Sequence, residues 1–139
     1  EGRAHETLRS RERIAPDVAV LADVLVKHAT PPPGLTLERA ALDAWLRGLA
    51  DALIVSGGGT GEPTAAEDLE AVRAAVPDAP LLVGSGLTEE TAPLLLARAD
   101  GAIVGTALQR GGVPGAPVDA ERVRRLVGAA RAVLPPRGR

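Results

Sequence analysis

The sequence contains no cysteine, methionine, phenylalanine or tyrosine, and its only aromatic side chain is Trp45. Without cysteine there is no disulfide framework, no thiolate metal site and no cysteine nucleophile. The scarcity of aromatic rings excludes the stacking platforms with which proteins hold bare bases. The two histidines, His5 and His28, are too far apart to have metal-ligand spacing. We therefore predict no metal and no cofactor, and a core of alanine, valine, leucine and isoleucine.

An excess of positive charge is also missing. The 139 residues include 16 lysines and arginines and 18 aspartates and glutamates, which gives a net charge of −2. A nucleic-acid partner is therefore not expected, because such binders normally show a basic excess. No apolar run approaches the ~18 residues that a membrane span needs, and no signal peptide is visible. We expect a cytoplasmic protein, with residues 1–139 forming one domain.

Four short apolar segments predict β-strands, and none alternates cleanly between apolar and polar residues, as is typical of a parallel sheet covered on both faces. Segments with helical spacing of apolar residues lie between them. Alternating strands and helices predict an α/β fold with a parallel sheet. The predicted strands are 18–26, 52–55, 81–83 and 102–104, and the predicted helices are 1–15, 36–49, 64–76, 88–98 and 119–134.

Individual residues predict where the helices begin. Thr64 and Glu67 have the spacing of a capping box, in which each side chain accepts a hydrogen bond from the other residue's backbone N–H. Pro93 removes a helical donor, so its helix either begins late, near Thr91, or bends. Asp119 is expected to cap the last helix, and residues 135–139 are expected to form a frayed tail.

A quasi-repeat relates two halves of the chain. Residues 50–57 (ADALIVSG) resemble residues 99–106 (ADGAIVGT), with an aspartate before the strand and a glycine after it. Asp17 and Asp78 also stand just before predicted strands. We therefore expect acidic residues at the amino ends of the strands and glycines at their carboxyl ends.

The glycine-rich strand ends predict an anion site. Gly84, Ser85 and Gly86 follow the third strand, and Gly105 and Thr106 follow the fourth. Glycine lets backbone N–H groups approach a ligand closely, and such groups beside a helix start bind anions. In (β/α)8 barrels a phosphate site is often built after strands seven and eight, with a short extra helix, for which residues 107–110 are available. The alternative is that these glycines only form tight turns.

The loop after the second strand is a candidate ligand loop. It includes Ser56, Gly57, Thr60, Gly61 and Glu62, within a run that has four glycines in five residues. Such a run costs backbone entropy, which ligand approach or loop mobility would justify. The loop matches neither a Walker loop nor the dinucleotide fingerprint. Glu62 is a candidate base, although an exposed acid needs no such role.

The first strand carries charge within an apolar run. Period-two alternation places Asp23 and Lys27 on one face, while Val24 and Val26 on the other face are expected to meet the helices. Lys27 is thus a candidate anion contact or, with a depressed pKa, a Schiff-base amine. A structural ion pair between Asp23 and Lys27 is the alternative. These two residues are the candidate catalytic pair.

Five segments, in order along the chain, resemble the BtpA family. They are ADVLVKHA (22–29), ADALIVSG (50–57), TGEPT (60–64), LVGSG (82–86) and GAIVGT (101–106). The match corresponds to the C-terminal half of that family. It implies a ribulose-phosphate-binding-type TIM (β/α)8 barrel, in which the four strands are strands five to eight. The family's name, taken from photosystem I biogenesis, implies association with a membrane complex.

Half a barrel has physical consequences. A full barrel takes ~250 residues, and the chain begins with Glu1, so we expect a fragment without strands one to four. Four parallel strands leave two open edges and an inner face that exposes Ile54, Leu82 and Ile103. We therefore expect self-association or pairing with a missing N-terminal half.

Three functions remain open at this point. The chain is an enzyme or sensor domain that binds a phosphorylated small molecule, a non-catalytic assembly factor for a membrane complex, or an inactive fragment. Fold alone does not choose between them.

Overall fold

Parallel strands alternate with helices along the whole chain. The computed structural model describes residues 3–26, 30–57 and 63–134. Its regular elements are α1 (Ala4–Ile14), β1 (Leu21–Val24), α2 (Leu37–Leu42), β2 (Ala52–Val55), α3 (Ala66–Ala75), β3 (Leu81–Val83), α4 (Ala92–Leu96), β4 (Gly101–Ala102) and α5 (Ala120–Val133). A π turn follows α2 at Asp43–Arg47, and two 3-10 turns lie at Thr106–Leu108 and Arg110–Gly112.

The four strands form one parallel sheet in the order β1-β2-β3-β4. This confirms the predicted α/β class, and four parallel strands alternating with helices correspond to half of a TIM barrel. Neither outer edge, on β1 or β4, has a further strand among the described residues. None of the helices in this part of the chain has the length and apolar character that a membrane crossing requires.

One face of the sheet carries the core. Alternate strand residues point toward the helices and are almost fully buried, because period-two geometry places them all on one side. Helix α2 packs beside α3, and α4 packs beside α5, over this face. The buried side chains include Val24, Leu53, Val55, Leu81 and Val83 from the strands and Leu69, Val72, Leu95, Leu96 and Leu126 from the helices.

The opposite face is only partly open. Ile103 is 49% exposed, as expected, but Ile54 is only 8% exposed, so the prediction for Ile54 was wrong. Ile54 lies centrally, aligned with Asp23 on β1 and Leu82 on β3. Its Cγ2 methyl occupies the space beside Gly84, where a side chain would have stood. Its neighbours therefore cover Ile54, whereas Ile103 lies at the outer edge.

Strand β1 is shorter than predicted. Leu25 has a φ of 55°, a left-handed conformation that a strand cannot include. The alternation therefore stops at Val24, and Val26 is 46% exposed rather than packed against the helices. At the other end, the Val20 N–H donates to the Asp51 carboxylate at 2.7 Å before the regular ladder begins.

The second predicted helix changes its winding halfway. Thr36 caps it by accepting a hydrogen bond from the Arg39 N–H, but from Asp43 to Arg47 the helix widens into a π turn. A wider turn no longer keeps the 3.6-residue period. Residues after Asp43 that were assigned to the buried face on that period therefore do not all face the core. Leu46 is 62% exposed and Leu49 is 56% exposed, contrary to the prediction.

Thr64 does not cap helix α3, which begins at Ala66 without a side-chain cap. The Thr64 hydroxyl is buried and lies within hydrogen-bonding distance of the Val55 carbonyl (3.1 Å) and the Ser85 carbonyl (2.9 Å). These carbonyls lie at the carboxyl ends of β2 and β3. The hydroxyl therefore ties two strand ends together instead of closing a helix end.

A reciprocal cap does occur before α4. The Thr88 N–H donates to Thr91 Oγ1 at 2.8 Å, and the Thr91 N–H donates to Thr88 Oγ1 at 3.3 Å. This is capping-box geometry with threonine in the place of glutamate. Helix α4 consequently starts at Ala92 with Pro93 in its first turn, which confirms the late start. Helix α5 is capped by Asp119 as predicted.

The amino ends of the strands carry a repeated acid clamp. Asp51 accepts hydrogen bonds from the Val20 N–H and from Arg11 of α1, each at 2.7 Å. Asp100 likewise accepts from the Leu81 N–H at 2.8 Å and from Arg73 of α3 at 2.7 Å. The quasi-repeat thus encodes a structural device: each aspartate joins a helix to the neighbouring strand.

The buried Thr64 hydroxyl yields a stability prediction. Replacing Thr64 by valine keeps the shape of the side chain but removes the one hydroxyl proton that the two carbonyls share, so we expect the free energy of unfolding to fall by about 1–2 kcal/mol. Urea denaturation followed by circular dichroism measures this loss. Thr7→Val, at an exposed position in α1, is the control and is expected to change stability by less than about 0.5 kcal/mol. Equal losses in the two variants would contradict this role of Thr64.

Asp51 yields a prediction about pH. The hydrogen bond from the Val20 N–H, helped by the charge of Arg11, holds the pKa of Asp51 below its ordinary value, against a smaller opposing effect of desolvation. A lowered pKa in the folded state contributes stability above the unfolded-state value of about 3.9, and this contribution is lost as the pH falls through the folded value. The difference in melting temperature between wild type and Asp51→Asn should therefore narrow as the pH is lowered from 6 to 3.

The control for this series is Asp78→Asn. Asp78 also precedes a strand but makes no hydrogen bond or ion pair within the described ranges. Its substitution should leave the pH dependence of the melting temperature close to that of the wild type. A difference for Asp51→Asn that stays constant with pH would show that the clamp is not a titrating interaction.

Candidate functional site

Side-chain hydrogen bonds hold the carboxyl ends of β1, β2 and β3 together. Ser56 Oγ donates to Asp23 Oδ1 at 3.2 Å, and the Gly57 N–H donates to Ser85 Oγ at 2.9 Å. Thr64 adds its contacts to the same two strand ends. The three strand tips thus form one connected rim and do not splay apart.

Glycine at position 84 is required by this close approach. A Cβ built on Gly84 would overlap Ser56 Oγ and would lie 2.7 Å from the Ile54 Cγ2 methyl and 3.2 Å from the Val55 carbonyl oxygen. Gly86 has a φ of +73°, and a Cβ there would overlap Pro63. Both glycines therefore have a packing role in the rim, whatever they bind.

A single cleft brings together the predicted phosphate-binding residues. Gly84, Ser85 and Gly86 from the β3 end and Gly105 and Thr106 from the β4 end line the same cleft of about 640 Å³. Its walls also include Leu87, Thr88, Ile103 and Arg122. The 3-10 turn Thr106–Leu108 begins in this wall, where the sequence predicted a short extra helix from 107 to 110.

Some of the amides at this rim are used internally and others are not. The Gly84 N–H donates to the Val55 carbonyl at 2.7 Å, and the Gly57 N–H is taken by Ser85. The N–H groups of Gly86, Gly105 and Thr106 meet no acceptor in the described ranges. The cleft therefore offers backbone donors from two different strand ends.

Arg122, in the first turn of α5, is the cationic side chain that lines the cleft among the described residues, and sequence reasoning missed it. Its Nε donates to the Ala107 carbonyl at 2.8 Å, which fixes the guanidinium against the Thr106–Leu108 turn. A signal for it existed in the sequence. An arginine three residues after the capping Asp119 stands where the helix dipole disfavours positive charge, so another interaction has to justify it.

Two carboxylates near Arg122 have shifted titrations. Hydrogen bonds from the backbone N–H groups of Glu121 and Arg122 lower the pKa of Asp119, with smaller contributions from the charges of Arg110 and Arg122. The Thr88 side chain lowers the pKa of Glu90, to which the charges of Arg122 and Arg125 also contribute. Both groups are therefore ionised at neutral pH, and neither makes an ion pair with Arg122.

Of the other predicted site residues, the described ones, Asp23, Ser56 and Gly57, do not line the cleft. Asp23 is exposed on the sheet face away from the helices, where it accepts the Ser56 hydrogen bond. Its predicted partner Lys27, and Thr60, Gly61 and Glu62 of the ligand loop, lie outside the described residues. Within the described part of the chain, no three histidine, aspartate or glutamate side chains cluster as metal ligands would.

Comparison with known proteins confirms the resemblance seen in the five segments. A family model, described as the BtpA family, matches residues 1–132. The Photosystem I biogenesis protein BtpA of a Synechocystis species is 44% identical over 129 residues, which is 93% of this chain and 45% of that protein. No solved structure matches the chain.

Archaeal relatives show the same partial coverage. An uncharacterized protein of Thermococcus kodakarensis is 43% identical over 131 residues, which is 94% of this chain and 49% of that protein. An uncharacterized protein of Archaeoglobus fulgidus is 41% identical over 131 residues, with 94% and 50% covered. The chain thus spans about half the length of the curated relatives it matches.

The close packing around Gly84 can be tested with a matched alanine pair. Gly84→Ala should lower the free energy of unfolding by about 1–3 kcal/mol, because the new methyl group overlaps Ser56 and Ile54. Gly128→Ala, in the exposed middle of α5 with open space around it, should raise stability by about 0.5–1 kcal/mol. Urea denaturation measures both, and a neutral Gly84→Ala would refute the tight rim.

Proposed function

The chain belongs to the BtpA family, and we propose that its cleft binds the phosphoryl group of a small phosphorylated molecule. The observation that carries this proposal is the convergence of residues from two strand ends, 84–86 and 105–106, on one cleft. Three N–H groups there, of Gly86, Gly105 and Thr106, have no acceptor among the residues that the structure describes and are the proposed donors. Backbone donors of this kind bind anions without needing a lysine.

The cleft also suits an organic body attached to the phosphoryl group. Leu87, Ile103 and Val104 form an apolar wall beside the polar strand ends. Ile103 is half exposed, so a ligand that covers it would remove apolar surface from water. Ligand clefts commonly combine an apolar lining with a few convergent polar groups in this way.

A charge-reversal pair at Thr106 tests this function. In ¹H–¹⁵N spectra, inorganic phosphate should shift the amide signals of Gly86, Gly105 and Thr106 in the wild type. Thr106→Glu places a carboxylate at the same N–H groups and should abolish these shifts, because like charges repel. Thr106→Gln has the same size without the charge and should retain them. Wild-type signals that do not respond to phosphate would overturn the proposal.

A second candidate function is assembly of a membrane complex, which the 44% identity to the Synechocystis photosystem I biogenesis protein favours. The Thr106 variants separate the two functions. If Thr106→Glu loses phosphate binding but still recovers subunits of a membrane complex in affinity purification, assembly does not depend on the cleft. If the wild type recovers no subunits of a membrane complex, the assembly function is contradicted and phosphate binding is the remaining candidate.

A further inference from the structure

Arg122 differs from the other partly buried arginines. Four arginines in the described residues are neither exposed nor fully buried, namely Arg11, Arg73, Arg98 and Arg122. The first three each contact a carboxylate: Arg11 pairs with Asp51, Arg73 with Asp100 and Arg98 with Glu70. For Arg122, no carboxylate oxygen of the described residues lies within ion-pairing distance.

The missing contact is informative because even partial burial of a charge is unfavourable without an ion pair. The carboxylates of Asp119 and Glu90 act on Arg122 only from beyond ion-pairing distance. The Arg122 side chain makes one hydrogen bond within the described ranges, from Nε to the Ala107 carbonyl. That bond leaves the two terminal amino groups of the guanidinium with donors to spare. It also fixes the plane of the guanidinium, which reduces the entropy lost when an anion binds.

The surroundings of the guanidinium leave room for a ligand. Arg122 Nη2 lies 3.5 Å from the position that a Cβ on Gly112 would take, so the absence of a side chain at Gly112 keeps this side open. Arg122 and Gly112 line the same cleft as Gly105 and Thr106. The anchoring carbonyl belongs to Ala107, the residue after Thr106. The guanidinium and the spare N–H groups are therefore held by one short turn.

We infer that Arg122 is the charged ligand of the cleft and that it selects a terminal phosphoryl group, as in a phosphomonoester. This inference rests on the proposed phosphate-binding function. A guanidinium fork takes two oxygens at once, and the N–H groups of Gly105 and Thr106 take others. A phosphomonoester has three unesterified oxygens, enough to contact both the guanidinium and the two N–H groups. A phosphodiester has only two.

Variants of Arg122 test its role. Inorganic phosphate is titrated into the full chain and followed by the amide signals of Gly105 and Thr106. Arg122→Gln should weaken binding about tenfold or more, as expected for loss of a charge-assisted hydrogen bond. The phosphate affinity of Arg122→Lys should lie between those of the wild type and Arg122→Gln, because lysine keeps the charge without the planar fork. The control is Arg124→Gln on the same helix, where Arg124 is exposed and contacts Glu121; it should bind like the wild type.

A chemical measurement on the wild type tests the role of Arg122 without any variant, so its result does not depend on whether the variants fold. Phenylglyoxal modifies arginine, and mass spectrometry reports the rate at each site. Phosphate should slow modification of Arg122 and leave that of Arg124 unchanged, with chloride at equal ionic strength as the reference. The ligand class is tested by competition: methyl phosphate should displace inorganic phosphate, whereas dimethyl phosphate should not.

The outcomes distinguish this inference from the function beneath it. Wild-type amide signals that do not shift with phosphate would overturn both the phosphate-binding function and the role of Arg122. Amides that respond, together with an unchanged affinity in Arg122→Gln and no protection of Arg122, would overturn only the role of Arg122. Equal displacement by methyl and dimethyl phosphate would overturn the choice of a terminal phosphoryl group.

Discussion

The buried hydroxyl of Thr64 is the interaction on which the candidate site depends. It contacts the carbonyls of Val55 and Ser85 and so sets the separation between the ends of β2 and β3. Because the ends are this close, Gly84 has no room for a side chain and Ser85 can accept the Gly57 N–H. The geometry of the glycine-rich rim therefore follows from one polar group in an otherwise apolar layer.

The amino and carboxyl ends of the strands differ in how their charged groups are paired. At the amino edge, Asp51 and Asp100 each neutralise an arginine and accept a strand N–H, so the charges satisfy one another within the protein. At the carboxyl edge, the spare donors and the guanidinium of Arg122 have no such counterpart among the described residues. In α/β proteins generally, ligand sites lie at the carboxyl edge of the sheet, and the proposed site of this chain lies at that edge.

Much of the fold could be predicted from local patterns. The existence and order of the four strands, the late start of α4 at Pro93 and the Asp119 cap depend on residues that are neighbours in sequence, and each was confirmed. The strand bounds were less accurate: β1 covers only Leu21–Val24 of the predicted 18–26, and β4 ends at Ala102 where the prediction extended to 104. The capping box predicted at Thr64 was wrong because a threonine hydroxyl can also donate to carbonyls, and the fold brings the Val55 and Ser85 carbonyls within reach of it. The candidate phosphate residues could be chosen from the glycine pattern. The position of Arg122 after the Asp119 cap was unusual for a positive charge, but no local pattern showed that its side chain returns to the Ala107 carbonyl.

By itself, the sequence determined the order of strands and helices, their parallel arrangement and the acidic and glycine-rich ends, because these follow from apolar periodicity and backbone conformation. Only the tertiary structure decided which partners the polar groups found. The burial of Ile54, the bridging by Thr64 and the anchoring of Arg122 on the Ala107 carbonyl all depend on atoms that distant parts of the chain bring within a few ångströms, and no local pattern records such distances.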